Sequence, residues 1–515
     1  MLTAVNPASG QVIGHVPVTP LSACPDMMEQ SRRAFAAWSR QPMAERIALL
    51  RRLREFIIAH LDELVDVIVT STGKPPVEAL TADILVVVDM LHYLETHAEK
   101  VLSPKRVKTP LLLLGKRSYV TYMPRGVVLV IAPWNYPFQL SIVPAASALA
   151  AGNSVILKPS EVTPLVGQWI ERLFQQAGAP EHLVQVAHGD GRVGAALIEA
   201  NPDYIFFTGS VRTGKVVQQE AAKRLIPTTL ELGGKDPMIV FADAPLERAA
   251  KGAVWGALTN CGQVCMSVER IYVERPVYEP FLQLLRRELE RLSRKPSDPE
   301  RDLGSMTFPK QRDIVRDHVT QALAQGARCI GGVPPEQWEA GPGLSVPPVM
   351  LTDLKEDMAV MREETFGPVL CVVPFDSEEE AVRLANGTEY GLNASVWSRD
   401  LAKAWRVADR LVSGAVVIND VIVSVSNPHL PFGGAKASGI GRYHGEIGLQ
   451  TFCHQKSIVV DRGRRKTEVQ WYPYRGKREP FARLIRSMYG PKRRWTELLR
   501  AYRELLRRSK EGDGP

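Results

Sequence analysis

Residues 127–161 read VVLVIAPWNYPFQLSIVPAASALAAGNSVILKPSE, and they contain two of the patterns that decide the fold. The apolar runs VVLVIA and SVIL have the length and the β-branched content of buried strands. Two further runs follow, LVQV at 183–186 and YIFF at 204–207, and helix-like spacing occurs at 162–177 and 192–200. Strands that alternate with helices predict an α/β fold with a doubly wound parallel sheet.

Each of these predicted strands leads into a motif that contains polar residues or glycine. PWNYP, KPSE, HGDGRVG and TGS follow the four runs in that order. Because parallel sheets bind ligands beyond the carboxyl ends of their strands, we expect a site at this edge. A second alternating region follows Leu232 and predicts a second α/β domain. Its strand-like runs are 238–241, 270–273, 369–373 and 415–418.

The first hundred residues predict helices. Apolar residues keep the helical period from Ile47 to Ile68, and a second helix is expected from about Val77 to Ala98. The segment TGKPP at 72–76 separates the two.

Two short segments contain side chains suited to covalent catalysis. Cys265 ends NCGQVC, and the backbone amides of such a turn can lower a thiol pKa and hold an oxyanion. Glu231 begins ELGGK, and a buried carboxylate there can serve as a general base. On spacing alone, a buried structural cysteine and an ordinary turn are the commoner explanations. Cys261 competes with Cys265 for the role of nucleophile.

Two glycine-containing segments are candidates for binding a phosphate. GDGRVG at 189–194 has the GxGxxG spacing, and GSVRTG at 209–214 also opens a predicted helix. The first segment lacks the acidic residue expected about 20 positions later, and a plain turn is an alternative for each. The cysteines and histidines lack the spacing of a metal site, so no metal is expected.

The composition is that of an ordinary globular protein, with 45% hydrophobic and 23% charged residues, and excludes a disordered chain, a collagen and a coiled-coil rod. Six cysteines without a CxxC pair fit a reducing cytosol. Neither a signal pattern nor an apolar run of ~20 residues is present, so a cytoplasmic location is expected. Residues 461–515 have 17 Lys and Arg against 7 Asp and Glu, whereas the whole chain has 64 against 56. The remaining body is therefore near neutral, which argues against nucleic acid as a partner.

Seven motifs, in order and spacing, resemble the aldehyde dehydrogenase superfamily over roughly residues 1–460. They are PWNYP (133–137), KPSE (158–161), FTGS (207–210), ELGGK (231–235), GQVC (262–265), EETFGPV (363–369) and PFGGAKASGIGR (431–442). Several of these forms, with YHG and TFCHQKSIV at 443–459, resemble the branch that oxidises medium- and long-chain fatty and aromatic aldehydes. GIGRY and the N-terminal NPASGQVIG depart from that branch.

The resemblance implies catalytic roles for three residues in NAD(P)-dependent oxidation of an apolar aldehyde to the acid. Cys265 would attack the aldehyde carbon, and the Asn135 side-chain amide and the Cys265 backbone N–H would hold the thiohemiacetal oxyanion. Water activated by Glu231 would then hydrolyse the thioester. A CoA-acylating relative and a catalytically silent family member are the alternatives. Glu231 argues against the former, and the intact set of three argues against the latter.

The resemblance also implies a set of cofactor-binding residues. They are Lys158 and Glu161 at the adenosine ribose, Gly209, Ser210 and Gly214 at the pyrophosphate, Glu364 at the nicotinamide ribose and Phe366 beside the nicotinamide. The Glu161 carboxylate would repel a 2′-phosphate, so NAD is favoured and NADP use is left open. Segment 209–214 is then the phosphate loop, 189–194 is a neighbouring loop at the adenine end, and Lys235 has a structural role.

The family architecture implies three parts in addition to the basic tail. They are an NAD-binding domain from 1–106 and 125–231, a catalytic domain from 232–450, and an oligomerisation flap from 107–124 and 451–460. The flap predicts at least a homodimer.

Residues 461–515 predict two basic amphipathic helices separated by Pro491. Their apolar stripes are Phe481, Leu484, Ile485, Met488 and Tyr489 in the first and Trp495, Leu498, Leu499, Tyr502, Leu505 and Leu506 in the second. Such helices either lie on an anionic membrane, here through residues 480–508, or dock on the body or the partner subunit, and both are open. WYPYRGK at 471–477 resembles the start of the tail in fatty aldehyde dehydrogenases, where a helix covers the substrate funnel.

Overall fold

The computed structural model describes residues 1–110, 113–293, 300–338 and 343–510. The strands are β1 Leu2–Val5, β2 Val12–Val16, β3 Lys105–Val107, β4 Arg117–Pro124, β5 Val127–Ile131, β6 Ser154–Lys158, β7 Val184–Val186, β8 Tyr204–Thr208, β9 Thr228–Glu231, β10 Asp236–Val240, β11 Val268–Glu274, β12 Arg328–Gly332, β13 Val349–Thr352, β14 Val369–Phe375, β15 Asn393–Trp397, β16 Ala415–Ile418, β17 Gly439–Ile440 and β18 Cys453–Val460. The helices are α1 Cys24–Trp38, α2 Met43–Ala59, α3 Leu61–Thr72, α4 Pro76–Glu78, α5 Leu85–Leu102, α6 Gln139–Ala150, α7 Pro164–Gln176, α8 Gly191–Glu199, α9 Val211–Ala222, α10 Leu246–Leu258, α11 Tyr278–Arg291, α12 Pro309–Ala324, α13 Ala359–Arg362, α14 Glu378–Ala385, α15 Leu401–Ala408, α16 Gly445–Gln450, α17 Arg478–Tyr489 and α18 Trp495–Lys510.

The four strands predicted between 127 and 207 lie in one sheet, whose order is β17-β9-β8-β5-β6-β7. All its pairs are parallel except β17 with β9. The order reverses at β5, because β6 and β7 lie on one side of it and β8 and β9 on the other. Ligands bind at such a switch point, so the loops after β5 and β8 lie where a site is expected. The predicted doubly wound α/β fold is confirmed.

The region after Leu232 forms the second sheet that the sequence predicts. Its seven strands have the order β12-β13-β14-β11-β10-β15-β16, and only the β12–β13 pair is antiparallel. Every residue of β10 and of β15 is buried. Strands buried on both faces show continuous apolar runs rather than alternation, which is why runs such as 238–241 were visible in the sequence.

The N-terminal residues differ from the helical prediction, since 2–16 form the β1–β2 hairpin. Its turn is closed locally by Asn6, whose side-chain oxygen accepts hydrogen bonds from the backbone N–H groups of Ala8 and Ser9 at 2.9 and 3.3 Å. Two strands of four and five residues are too short for a periodicity to reveal them.

The two predicted N-terminal helices are present but divided. The periodic stretch from Ile47 to Ile68 forms α2 and α3, because His60 leaves the helical region with φ −118° and ψ 31°. The helix expected from Val77 begins as α4, passes through a π-helical segment at Ala79–Ile84 and continues as α5. Such π-segments are frequent at functional sites. The helices expected at 162–177 and 192–200 are confirmed as α7 and α8.

The chain divides into two compact units. The first consists of Met1–Ser103 and Tyr122–Gln455 and contains both large sheets. The second consists of Pro104–Thr121 and the residues after Gln455. Strands β4 and β18, which lie in the predicted flap segments, form a three-stranded sheet of order β18-β4-β3.

The two helices predicted in the basic tail are confirmed as α17 and α18, which pack against each other. Some residues of the predicted apolar stripes are buried between the helices, and others are exposed. The buried core consists of Val469, Leu484, Leu498, Ala501 and Leu505, whereas Ile485, Tyr489, Trp495 and Leu499 are exposed. None of the helices in the described residues is long and apolar enough to cross a membrane.

Candidate active site

A strained turn precedes Cys265 and follows helix α10. Asn260, Cys261 and Gly262 have φ values of 50°, 56° and 73°. This left-handed region is unfavourable for residues with a Cβ, so surrounding contacts must hold the turn. A Cβ on Gly262 would lie 2.2 Å from the carbonyl oxygen of Gly367, so only glycine fits there. The turn therefore packs tightly against the backbone at Gly367.

Asn135 lies in the loop after strand β5 and is hydrogen-bonded to this turn. Its side-chain Nδ2 donates to the carbonyl oxygen of Gln263 at 3.0 Å. Its main-chain carbonyl accepts from Nδ2 of Asn260, also at 3.0 Å. Because an amide nitrogen carries two hydrogens, the Asn135 side chain retains a second N–H that can donate. The structure thus brings the predicted oxyanion donor to the segment that leads into Cys265.

Glu231 is the last residue of strand β9 and is only 4% exposed. Among the described residues, neither of its carboxyl oxygens has a hydrogen-bond partner. Burial raises the pKa of Glu231 well above its ordinary value, and the nearby Arg442 guanidinium opposes this shift only in part. A Cβ on Gly433 would lie 2.9 Å from Oε1 of Glu231, so the PFGGAK segment packs directly against this carboxyl.

Cys265 is partly exposed, in contrast to the buried Cys261. Burial is the main cause that raises the pKa of the Cys265 thiol, and the carboxylates of Glu364, Asp236 and Glu231 add to it. The ELGGK segment, which begins with Glu231, packs against Cys265, because a Cβ on Gly234 would lie 2.3 Å from the Cys265 main-chain oxygen. Because Cys261 is fully buried, Cys265 is the one of the two that a substrate can reach.

Lys158 and Glu161 lie together at the end of strand β6. Their charged atoms are 3.5 Å apart, and the Glu161 side chain is 43% exposed. Lys158 Nζ also donates to the carbonyl oxygen of Pro159 at 3.0 Å. Desolvation lowers the pKa of Lys158, while the Glu161 carboxylate raises it. The exposed carboxylate is therefore oriented by a buried lysine.

The two glycine segments differ in what occupies the start of the following helix. In 189–194 the Asp190 carboxylate caps α8 by accepting from the Arg192 backbone N–H at 2.9 Å. In 209–214 the neutral Ser210 hydroxyl caps α9 by accepting from the Thr213 backbone N–H at 3.3 Å. A carboxylate at the first helix start would repel an anion, so the second is better suited to a phosphate. Close packing surrounds Gly214, where a Cβ would lie 2.5 Å from the Leu232 side chain.

Glu364 and Phe366 lie just before Gly367, against whose backbone the turn before Cys265 packs. A carboxyl oxygen of Glu364 accepts from the Gly234 backbone N–H at 3.0 Å. Burial, together with Glu269, raises the pKa of Glu364 to about 8. The Phe366 ring lies edge-on to Trp134 of the PWNYP loop, with 5.5 Å between ring centroids.

The Lys235 side chain is fully buried. It forms a buried ion pair with Glu269, whose carboxylate also accepts from the backbone N–H groups of Thr365 and Phe366 at 2.9 and 3.1 Å. The pair fixes the backbone of the 363–369 motif, in keeping with a structural role for Lys235.

Comparison with known proteins identifies the family. A sequence model of the aldehyde dehydrogenase family matches residues 1–458. The chain belongs to the aldehyde dehydrogenase family. This confirms the resemblance inferred from the seven motifs and makes the protein a member of an oxidoreductase family. The match ends at residue 458, before the basic tail of this aldehyde dehydrogenase begins.

Similar proteins and structures extend the family assignment. The 4,4'-diapolycopene aldehyde oxidase of Methylomonas sp is 44% identical over 511 residues, which cover 98% of this chain and 95% of that protein, so most of the tail is included. A putative succinate-semialdehyde dehydrogenase [NADP(+)] of Mycolicibacterium smegmatis is 38% identical and covers 88% of this chain and 87% of its own length. The NAD+ complex of aldehyde dehydrogenase from Bacillus cereus has a TM-score of 0.84 at 34% identity, over 89% of this chain and 93% of that one.

Three charged residues of this aldehyde dehydrogenase contact the site and were not predicted from the sequence. Lys74 donates to the main-chain carbonyl of Asn135 at 2.9 Å, Asp83 pairs with Lys74, and Glu78 accepts from the turn before Cys265. The sequence carries no pattern that distinguishes these three residues; in the structure Lys74 and Asp83 are fully buried, whereas Glu78 is partly exposed. TGKPP separates two helices, as the sequence predicts, and its Lys74 also contacts the proposed site.

Proposed function

We propose that this aldehyde dehydrogenase oxidises long apolar aldehydes to carboxylic acids, with NAD+ as the hydride acceptor. The observation that carries the proposal is the clustering of three chemical groups. Cys265 follows a turn bonded to Asn135, and Glu231 is buried nearby with both carboxyl oxygens unpartnered among the described residues. A nucleophile, a neutral oxyanion donor and a base are what acyl transfer requires.

The residues that would hold the cofactor fit it. Gly209 and the neutral Ser210 precede helix α9, whose first backbone N–H groups suit a pyrophosphate. The exposed Glu161 carboxylate, oriented by Lys158, suits the two ribose hydroxyls and would repel a 2′-phosphate. We therefore expect NAD+ to be preferred to NADP+. The bound nicotinamide would accept the hydride and leave the Cys265 adduct as a thioester.

The remaining steps are performed by residues of the chain. The Cys265 thiolate attacks the carbonyl carbon, a C–S bond forms, and the carbonyl electron pair moves to oxygen. The second N–H of the Asn135 amide and the Cys265 backbone N–H donate to that oxyanion, each contributing about 3 kcal/mol to transition-state stabilisation. Glu231 then removes a proton from water, which attacks the thioester carbon and displaces the Cys265 thiolate.

An apolar substrate is supported by one relative and by the motifs. The Methylomonas relative, named for an aldehyde of 4,4'-diapolycopene, is similar along nearly the whole chain, tail included. We carry over only the apolar class of aldehyde and not the particular compound. Glu231 argues against a CoA-acylating enzyme. A base that activates water leads the Cys265 thioester to hydrolysis rather than to transfer of its acyl group to CoA.

Aldehyde oxidation is tested by NADH formation with hexanal, hexadecanal and benzaldehyde, with NAD+ or NADP+, and with or without CoA. We expect turnover with NAD+ that needs no CoA, is highest for the long-chain aldehyde and is lost in Cys265→Ser. Cys329→Ser is the matched control, because Cys329 is also partly exposed and belongs to the distant strand β12. Turnover that survives Cys265→Ser would reject the mechanism, and turnover that depends on CoA would favour the alternative.

We also infer that the tail contacts an anionic membrane that holds apolar aldehydes. Tyr489, Trp495 and Leu499 are 69%, 56% and 53% exposed on α17 and α18. The same two helices contain Arg486, Arg500 and other basic residues among the 17 of the tail. Aromatic and apolar side chains beside arginine are typical of helices that lie on an anionic bilayer surface.

Membrane contact is tested by co-sedimentation with vesicles of phosphatidylcholine, alone or mixed with phosphatidylserine. We expect the full chain to bind the mixed vesicles, and binding to fall in the triple variant Tyr489→Ser/Trp495→Ser/Leu499→Ser. The matched control is Leu225→Ser/Trp255→Ser/Trp405→Ser, which removes exposed apolar side chains from the first unit. Equal binding of both triple variants would remove the membrane from the proposal.

A further inference from the structure

A buried lysine lies behind the PWNYP loop. Lys74 follows the left-handed Gly73 at the end of α3, and its side chain is fully buried. Its Nζ lies 2.5 Å from Oδ2 of Asp83, 2.9 Å from the main-chain oxygen of Asn135 and 4.0 Å from the centroid of the Tyr136 ring. The ammonium is therefore bonded to the very residue that supplies the proposed oxyanion donor.

Asp83 holds the other end of the same loop. One carboxyl oxygen pairs with Lys74, and the other accepts from the Gln139 backbone N–H at 3.3 Å. Gln139 is the first residue of helix α6, which follows the PWNYP loop. The Lys74–Asp83 pair thus contacts both Asn135 and the start of α6, and it spans the loop between them.

Glu78 holds the second loop of the proposed site. Its carboxylate accepts from the Thr259 hydroxyl at 3.1 Å and from the Asn260 backbone N–H at 3.0 Å. Asn260 is the first of the three left-handed residues before Cys265, and its side chain donates to the Asn135 carbonyl. The carboxylate therefore stabilises a turn that would otherwise be unfavourable.

One short segment, residues 74–83, therefore contacts both loops. Glu78 directly precedes the π-helical segment Ala79–Ile84, and Asp83 lies within that segment. Buried ion pairs give little net stability over well-packed apolar residues, because desolvation offsets the attraction between the charges. Lys74 and Asp83 are fully buried and Glu78 is partly exposed, and each bonds to a loop of the proposed site. The geometry that they impose on these loops explains their placement better than stability does.

We propose that Lys74, Asp83 and Glu78 are positioning residues, which fix the Asn135 loop against the turn before Cys265. This inference rests on the proposed function. None of the three touches the reacting atoms, and they act through Asn135, Thr259 and Asn260. Removing them is expected to lower kcat while leaving KM nearly unchanged, because the aldehyde still enters but its oxyanion is poorly held.

The main test is the double variant Lys74→Met/Asp83→Asn, which removes the two fully buried charges of the ion pair together and keeps an acceptor for Gln139. We expect a 10- to 100-fold loss of kcat, KM within about threefold, and a melting temperature close to that of the wild type. The matched control is Arg54→Met/Glu95→Gln, which removes another ion pair with a buried carboxylate, between α2 and α5. A folded double variant with wild-type kcat would overturn the proposal.

A second pair of variants keeps the proposal testable if the double variant does not fold. Glu78→Ala removes the acceptor for Thr259 and Asn260, whereas Glu78→Gln retains one. We expect Glu78→Ala to lower kcat by about tenfold or more and Glu78→Gln to restore most of it. Equal activity of Ala and Gln variants would exclude positioning by Glu78.

The outcome for the wild type separates this inference from the proposed function. Absence of Cys265-dependent NADH formation in the wild type would reject the proposed function, and this inference with it. Wild-type turnover with unaffected variants would reject the positioning role alone. The rate at which iodoacetamide alkylates Cys265 gives a readout without substrate, and we expect Glu78→Ala to change it while the Arg54/Glu95 control does not.

Discussion

At the scale of single residues, Glu231 is a buried carboxyl group without a partner among the described residues. Such a group is costly to keep charged, and stability alone does not account for it. Because burial raises its pKa, the stability that neutral Glu231 provides is lost as pH rises through the folded pKa. The same carboxyl becomes a competent base only as it ionises, so its protonation state links stability to catalysis.

The first prediction concerns Glu231→Gln. Gln cannot remove a proton from water, so the thioester should form but not hydrolyse. We expect one equivalent of NADH per site in a rapid burst, followed by a steady-state rate at least 100-fold lower than in the wild type. Stopped-flow absorbance resolves the two phases. Wild-type steady-state turnover in this variant would exclude Glu231 as the base.

The second prediction concerns the pH dependence of Cys265. Because burial and nearby carboxylates raise its pKa, the reactive thiolate is scarce at pH 7 in the cofactor-free protein and increases as the pH rises. Alkylation of Cys265 by iodoacetamide should therefore accelerate steadily from pH 7 to pH 10. Peptide-level mass spectrometry follows Cys265 and uses free glutathione as the reference. A rate that levels off below pH 8 would contradict the raised pKa.

At the scale of elements, the site depends on turns rather than on the helices and strands that carry them. Sheet strands β5 and β9 deliver Asn135 and Glu231 to one edge, but the turn after α10 decides where Cys265 lies. The third prediction is that Gly262→Ala lowers kcat/KM at least 10-fold and also lowers the melting temperature. The added Cβ would meet the Gly367 carbonyl oxygen at 2.2 Å in a left-handed conformation.

The control for that prediction is Gly191→Ala. Gly191 begins helix α8, and an added Cβ there meets nothing within 4 Å. We expect an unchanged kcat/KM and an equal or slightly higher melting temperature. Steady-state kinetics and calorimetry on both variants compare the two glycines directly. A loss of activity in Gly191→Ala would show that the 189–194 loop contributes directly to activity and does not merely lie beside the cofactor site.

The fourth prediction separates the two parts of the tail helices. Leu505 is fully buried in the core of the α17–α18 pair, whereas Leu499 is 53% exposed. Leu505→Ala should destabilise the helix pair by about 2–4 kcal/mol, and Leu499→Ala by less than about 0.5 kcal/mol. Limited trypsin cleavage at the arginines of the tail reports the difference. Equal cleavage rates in the two variants would contradict the packing.

At the scale of the whole molecule, strand β18 is an edge strand with which a strand of another chain could pair. It lies at one edge of its sheet, and its residues after Cys453 are all exposed. An exposed edge strand offers unpaired backbone N–H and C=O groups to another chain, so we infer that a second copy pairs here. The fifth prediction is a mass in solution of at least twice 57.0 kDa, measured by sedimentation equilibrium.

A variant tests the same prediction at that edge. Val459 is 54% exposed on β18, and Val459→Lys places a charge on the edge. We expect a shift toward the monomer, while Val412→Lys, at an exposed position in the first unit, should leave the mass unchanged. A wild-type chain that sediments as a monomer would remove the predicted flap contact.

Much of the fold and of the site could be predicted from the sequence. The apolar runs predicted four of the six strands of the first sheet and four of the seven strands of the second, because buried strands of a parallel sheet are mostly apolar. The resemblance of the motifs to the family predicted roles for Asn135, Glu231 and Cys265, whereas spacing alone favoured an ordinary turn and a structural cysteine. The hairpin at 2–16 was missed because its strands are short, and the break at His60 because apolar periodicity continues through it.

The sequence by itself determined the fold class, the family and the residue types at the site, because these depend on local patterns. Only the tertiary structure decided that Glu231 is buried without a partner among the described residues, and that Ser210 rather than Asp190 caps the helix suited to a phosphate. It also decided which residues of each tail stripe are exposed, namely Ile485, Tyr489, Trp495 and Leu499. It also brought Lys74 and Glu78 to loops far away in the chain. Burial, pKa and hydrogen bonding depend on distance through space, which the spacing of residues along a chain does not record.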